Sequence, residues 1–151
     1  MRDAPAPPFF QPVSSIPAAI FSALGLAPDA QGQVANECGE KVTPRILAAE
    51  LGGAVGTAQL VAIEGGPNTA ACYGDGPDLH LMRSQGEGFR EIYSARGRML
   101  IILPTPRDGV RDIADGGPGS SFPVWEWNGG EYAPAGREVG DAALSRATFL
   151  P

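Results

Sequence analysis

The chain has one histidine, one lysine and two cysteines in 151 residues, and each scarcity closes off a class of function. A Ser-His-Asp or Cys-His site would have to use His80, and no G-x-S-x-G elbow accompanies a nucleophile. A four-ligand zinc site would have to draw on carboxylates. Cys38 and Cys72 lack C-x-x-C spacing, which argues against a redox motif or zinc pair. The eleven basic residues, ten arginines and Lys41, are scattered, and the net charge is −6. Nucleic-acid binding needs a basic stripe to neutralise phosphates, and none is present. No apolar run approaches the roughly 18 residues of a membrane span; the longest, from Met99 to Leu103, is strand-sized. Residues 1–12 have no apolar h-region and do not read as a signal peptide. That start fits a chain whose leader has been removed, or a cytosolic one.

What the chain has in excess is glycine (21) and proline (15), together about twice their usual share of roughly 12%. Both interrupt helices and punctuate turns, so many short strands are expected. Residues 1–14 read as a Pro-rich arm in which Pro5, Pro7, Pro8 and Pro12 favour extended geometry. Residues 15–151 read as a single domain. A first helix is predicted over Ser15 to Leu26, with Ser14 or Ser15 as cap and Pro17 in the first turn. A second short helix is predicted from Pro28 to Ala35. Strands are predicted at 45–51, 58–64, 78–84, 89–95, 98–103, 122–127 and 131–133. A short closing helix is predicted over 140–148. Asn128-Gly129-Gly130, between aromatic segments, predicts a type I′ hairpin. The fold class is therefore α+β, an antiparallel sheet of about six or seven strands with a short N-terminal helical part.

The two cysteines are expected to form a disulfide; two buried free thiols are the alternative. A bond would close a loop of about 35 residues, worth about 3–4 kcal/mol on the chain-entropy model, and would imply an oxidising compartment. His80 reads as a structural residue. Asp75, Asp78, Asp108, Asp112 and Asp115 lie in or near predicted loops, but no spacing selects a catalytic pair. Calcium needs several carboxylates in one loop. The glycine-rich stretch after Glu50 has none, and the segment from Tyr73 to Asp78 has two. No metal and no cofactor are expected. Trp125 and Trp127 share a strand face with period two. They are either core or, with Tyr132, an aromatic platform. Glu64-Gly65-Gly66-Pro67 echoes Asp115-Gly116-Gly117-Pro118, either as shared turn chemistry or as two loops meeting at one end of a sheet. The candidate binding surface comprises Trp125, Trp127, Tyr132, Tyr73, Asp115, Gly117 and Pro118.

Several of these residues fall into a longer pattern: Asn36-x-Cys38-Gly39-x-x-Val42-x-Pro44, Glu50-Leu51-Gly52-Gly53, Cys72-Tyr73-Gly74, Asp112-Ile113-x-x-Gly116-Gly117-Pro118-Gly119 and Phe122-Pro123-Val124-Trp125-x-Trp127-Asn128-Gly129-x-x-Tyr132. Over residues 34–135 the pattern resembles a group of exported proteobacterial proteins, themselves similar to single FG-GAP-like β-modules. The resemblance implies export to the periplasm or beyond and a paired Cys38–Cys72; it implies no activity. The chain departs from the acidic FG-GAP loop, since the stretch after Glu50 lacks the later carboxylates. The expected function is a non-catalytic exported binding or assembly module whose partner is another protein or a second copy. The alternatives are an inhibitor or immunity-type protein that blocks another enzyme with the Asp115–Ser121 loop, and a small hydrolase using loop carboxylates.

Overall fold

The computed structural model describes residues 10–64, 76–117 and 119–151, with side chains from residue 17 onward. It contains helix α1 (Phe10–Ala23) and eleven strands: β1 (Val34–Ala35), β2 (Lys41–Val42), β3 (Arg45–Gly52), β4 (Gly56–Ile63), β5 (Asp78–Gln85), β6 (Gly88–Arg96), β7 (Leu100–Arg107), β8 (Val110–Asp115), β9 (Ser121–Trp127), β10 (Tyr132–Gly140) and β11 (Thr148–Leu150). All pairings are antiparallel. The α+β class is as expected, but the strands form three sheets. A four-stranded sheet runs β3-β4-β5-β6, a five-stranded sheet runs β10-β9-β8-β7-β11, and β1-β2 is a small ribbon. The chain thus lays down one four-stranded meander, crosses over, and lays down a second. β11 then returns to the far side of β7.

Period-two alternation explains how the two large sheets meet. Ala58, Leu60 and Ala62 of β4 and Leu79 and Leu81 of β5 point inward. They join Leu100 and Ile102 of β7 and Ile113 of β8 in one core between the sheets. The opposite faces are also covered. Val61, Ile63 and Met82 pack under Ile20 of α1, with Val34 and Val42 of the ribbon. Ile101 and Leu103 of β7, with Ala114 and Val124, pack under Leu144 of a short 3-10 turn (Asp141–Leu144). Burial on both faces is why Leu60 to Ile63 and Leu100 to Leu103 read as continuous apolar runs.

Several boundaries differ from the sequence expectation. α1 begins at Phe10 and ends at Ala23, so Pro17 lies in its interior and removes one helical hydrogen bond. Of the expected arm, residues 1–9 lie outside the described residues and 10–14 are helical. No helix spans 28–35. There the Asp29 carboxylate accepts from the Gln31 and Gln33 amides and holds a turn that leads into β1. The expected closing helix shrinks to the 3-10 turn, and Thr148–Leu150 pairs with β7 as β11 instead. Strand β8 was not foreseen. Its signal was Asp108-Gly109, both at positive φ between Arg107 and Val110, the dipeptide of a two-residue hairpin. The β9–β10 hairpin forms as expected, but Gly130 does not take the positive φ of a type I′ turn. Asn128 holds the loop, its Oδ1 accepting from the Gly130 and Glu131 amides.

The Glu50-Leu51-Gly52-Gly53 segment is a point of close backbone approach. A Cβ on Gly53 would lie 2.8 Å from the Gly109 backbone, and Gly53 has φ +55°. The β3–β4 turn therefore abuts the β7–β8 turn with no room for a side chain. Gly53→Ala is expected to lower stability by roughly 2–4 kcal/mol, combining left-handed strain with overpacking. Gly86→Ala has comparable φ and open space around it, and should cost only about 1–2 kcal/mol. Urea denaturation midpoints of the two variants measure the difference; equal losses would mean that the close approach carries no cost.

Candidate functional site

The chain passes from the first sheet to the second in three residues, Gly97, Arg98 and Met99. Backbone bonds tie this crossing to both sheets. The Gly97 amide donates to Pro77 O (3.0 Å), and Met99 and Gly116 exchange amide-to-carbonyl bonds of 3.3 and 2.7 Å. Glycines allow the fit. A Cβ on Gly76 would lie 3.3 Å from the Gly97 and Arg98 backbone, and one on Gly117 would lie 1.6 Å from Arg98 Nη1. The Arg98 guanidinium thus rests on the bare Cα of Gly117.

Beside this crossing lies a cavity of about 440 Å3, lined among others by Pro77, Arg98, Met99, Gly116, Gly117 and Pro151. Met99 and Phe149 are the large hydrophobic side chains left exposed among the described residues. Phe149 pairs with Ile101 across the β7–β11 ladder. Met99 lies two residues before Ile101, so all three share the outer face of the second sheet. The cavity therefore opens beside an apolar patch with one cation in it.

Behind the crossing, polar groups are left over. Among the described residues the Tyr93 hydroxyl and Asp115 Oδ1 are both buried without a hydrogen-bond partner. Arg98 Nε lies 3.8 Å from Asp115 Oδ1, an ion pair short of hydrogen-bond contact. Burial raises the Asp115 pKa against the opposing pull of Arg98. Burial, reinforced by the charge of Asp115, raises that of Tyr93. Tyr132 makes a useful contrast. It is equally buried, but its hydroxyl donates to Arg111 O at 2.8 Å.

The expected site residues separate into three groups. Asp115 and Gly117 lie at the crossing. Trp125, Trp127 and Tyr132 pack into the inter-sheet core: Trp125 meets Tyr93 edge-on at 5.2 Å, Trp127 meets Tyr132 at 5.6 Å, and Arg83 stacks over Trp127 at 5.1 Å. The shared face of the tryptophans is thus an interior face, with partial exposure where the sandwich opens. Cys72, Tyr73 and Pro118 lie outside the described residues, as does most of the Glu64–Pro67 echo. Arg98, Met99 and Phe149 were not singled out by sequence. Arg98 had only its place after Gly97 as a signal, and Met99 and Phe149 had only their apolar character, which is common in strands.

Two further charged clusters accompany the fold. Asp112 is almost fully buried on the outer face of β8 and holds Arg137 at 2.8 Å and Arg107 at 3.3 Å. Glu126 braces both arginines, at 3.4 and 3.6 Å. By alternation Asp112 and Asp115 point to opposite faces of β8, so the two do not converge as an acid pair. At the ribbon, buried Asn36 accepts from the Cys38 and Glu40 amides and donates to Glu64 O. Arg96 links this ribbon to β5 through Glu37 and, at 3.8 Å, Asp78. His80 places Nε2 at 3.0 Å from Asp78 and Nδ1 against Glu91. A neutral imidazole has one N–H, so only the imidazolium donates to both carboxylates. Burial opposes the charge, but Asp78 and Glu91 outweigh it and the pKa is raised. Among the described residues no three His, Cys, Asp or Glu side chains form a metal-binding group.

Comparison with protein-family models, curated proteins and solved structures finds no match to this chain.

Two outcomes follow from these polar groups. Tyr93→Phe removes a buried hydroxyl that has no hydrogen-bond partner among the described residues, and should leave stability unchanged or raise it by about 1 kcal/mol. Tyr132→Phe should lose about 1 kcal/mol by orphaning the Arg111 carbonyl. Thermal unfolding compares them; a matching loss in Tyr93→Phe would show that its hydroxyl is already satisfied. For His80, the raised folded pKa makes its stabilisation complete below the unfolded value of about 6.5 and lost as pH rises through the folded value. His80→Gln should flatten that decline in urea midpoints measured against pH.

Proposed function

We propose that this protein is an exported, non-catalytic binding module that holds another protein at the crossing between its two sheets. The observation that carries this reading is the cavity of about 440 Å3 beside exposed Met99 and Phe149, with Arg98 in its wall. An apolar cavity with a few convergent polar groups is the usual form of a binding site. The outer faces of the sandwich are partly covered, by α1 and by the 3-10 turn, while Met99 and Phe149 stay exposed on the second face beside the crossing. The Asp112 network binds its own arginines and supports a structural role.

Export rests on the cysteines. Cys38 and Cys72 are the two cysteines of the chain, and a bond between them would imply an oxidising compartment. Asn36 sets the turn that presents Cys38, so the bond would anchor the ribbon beneath α1.

Alkylation of the unreduced protein from its native host, followed by intact mass, should show no labelled cysteine, and two after reduction. Two labels without reductant would remove the argument for export. A pull-down from the same host with the wild-type chain, with its partner identified by mass, should lose that partner with Met99→Glu or Phe149→Glu. Retention by both variants would place the contact elsewhere.

A further inference from the structure

We infer that the cavity beside Arg98 reads a carboxylate carried on an apolar stem of the partner segment. The inference rests on the proposed binding role of this cavity and specifies the chemistry it takes. Arg98 lines the cavity and makes no hydrogen bond among the described residues; its nearest acid, Asp115, stands 3.8 Å from Nε. A guanidinium carries five N–H donors in a rigid fork that matches a carboxylate. Here the fork has a fixed seat, because Nη1 lies over the bare Cα of Gly117. Four other arginines spend donors on the chain itself: Arg83 on Ala54 O, Arg111 on Pro104 O, and Arg107 and Arg137 on Asp112. Arg98 is held in place without that satisfaction.

The surroundings determine what accompanies the acid. Pro77, Met99 and Pro151 make most of the wall apolar, and Phe149 extends the apolar surface outward. A bond formed there is charge-assisted on both sides and so stronger than a neutral one, although the half-exposed guanidinium leaves it partly screened by solvent. Among the described residues Arg98 is the charged group in the cavity wall; the nearest carboxylate, Asp115, stands behind it, with its buried Oδ1 lacking a hydrogen bond and its pKa raised by burial. A ligand carboxylate takes the side of the fork turned away from Asp115. A ligand cation would meet Arg98 first, and a neutral apolar group would leave its donors unused.

The test is a titration of the full chain labelled at its methionine methyl groups. Met99 reports on the cavity, and Met82, fully buried under α1, reports on the fold. The probes are a tetrapeptide ending in leucine-phenylalanine with a free carboxylate, the same peptide as its C-terminal amide, and free 4-phenylbutyrate. The acid peptide should shift the Met99 methyl saturably, leave Met82 in place, and bind at least about tenfold more tightly than the amide. Arg98→Gln should abolish that advantage. Gly117→Ala, whose Cβ displaces the guanidinium, should reduce it with the Met82 signal unchanged. Equal binding of acid and amide would overturn the carboxylate inference and leave the cavity as a binding site. Binding of 4-phenylbutyrate without the peptide would overturn the partner segment as the source. No shift of Met99 with any probe would overturn both this inference and the proposed docking site.

Discussion

Two four-stranded meanders are joined through three residues, and everything distinctive about the molecule depends on that crossing. Gly97, Arg98 and Met99 must leave one sheet and enter the other while the sheets stay face to face. The backbone bonds to Pro77 and Gly116 satisfy this constraint. So does the absence of side chains on Gly76, Gly116 and Gly117, where a Cβ would meet the crossing at 3.3 Å or less. The cost is borne by the polar groups that end up behind it. Among the described residues the Tyr93 hydroxyl and Asp115 Oδ1 have no hydrogen-bond partner there, and buried polar groups rarely remain in that state without a reason.

The rest of the sandwich is conservative. Each of the large sheets buries both faces, so the apolar side chains of β4 and β7 are used on every residue across four positions. Charged side chains are placed where they bind each other. Asp112 draws two arginines onto the outer face of β8, and His80 bridges two carboxylates across β5 and β6. Breaking one member of such a buried set costs more than the pair contributes, because a partner is then left charged and unpaired. Arg98 has only the long ion pair with Asp115, so its fork stays open toward the cavity it lines.

Much of the secondary structure was legible along the chain, because local periodicity and turn chemistry create it. Alternation located β3 to β6 and β9 within a residue or two. Asn128-Gly129-Gly130 marked a hairpin, though the turn type followed from the Asn128 side chain rather than from two glycines at positive φ. Asp108-Gly109 marked another that the mixed polarity of Val110 to Asp115 obscured. The helical expectation at 28–35 failed because Asp29 uses its carboxylate on the local backbone, and short polar side chains compete with helix in this way. The expected closing helix is reduced to the turn at Asp141–Leu144, and Thr148 to Leu150 extend the β7 ladder.

What the sequence determined by itself was class and exclusion: a β-rich chain, acidic, poor in histidine and cysteine, with no basic stripe and no long apolar run. Those are properties of composition and of spacing along the chain. Whether Trp125 and Trp127 faced a partner or a second sheet was decided only by the tertiary structure. Two-residue periodicity says that they share a face, not what covers it. The same holds for Asp115 and Arg98. They are neighbours because β8 and the crossing meet across the end of the sandwich, a relation fixed by how the second meander folds back on the first.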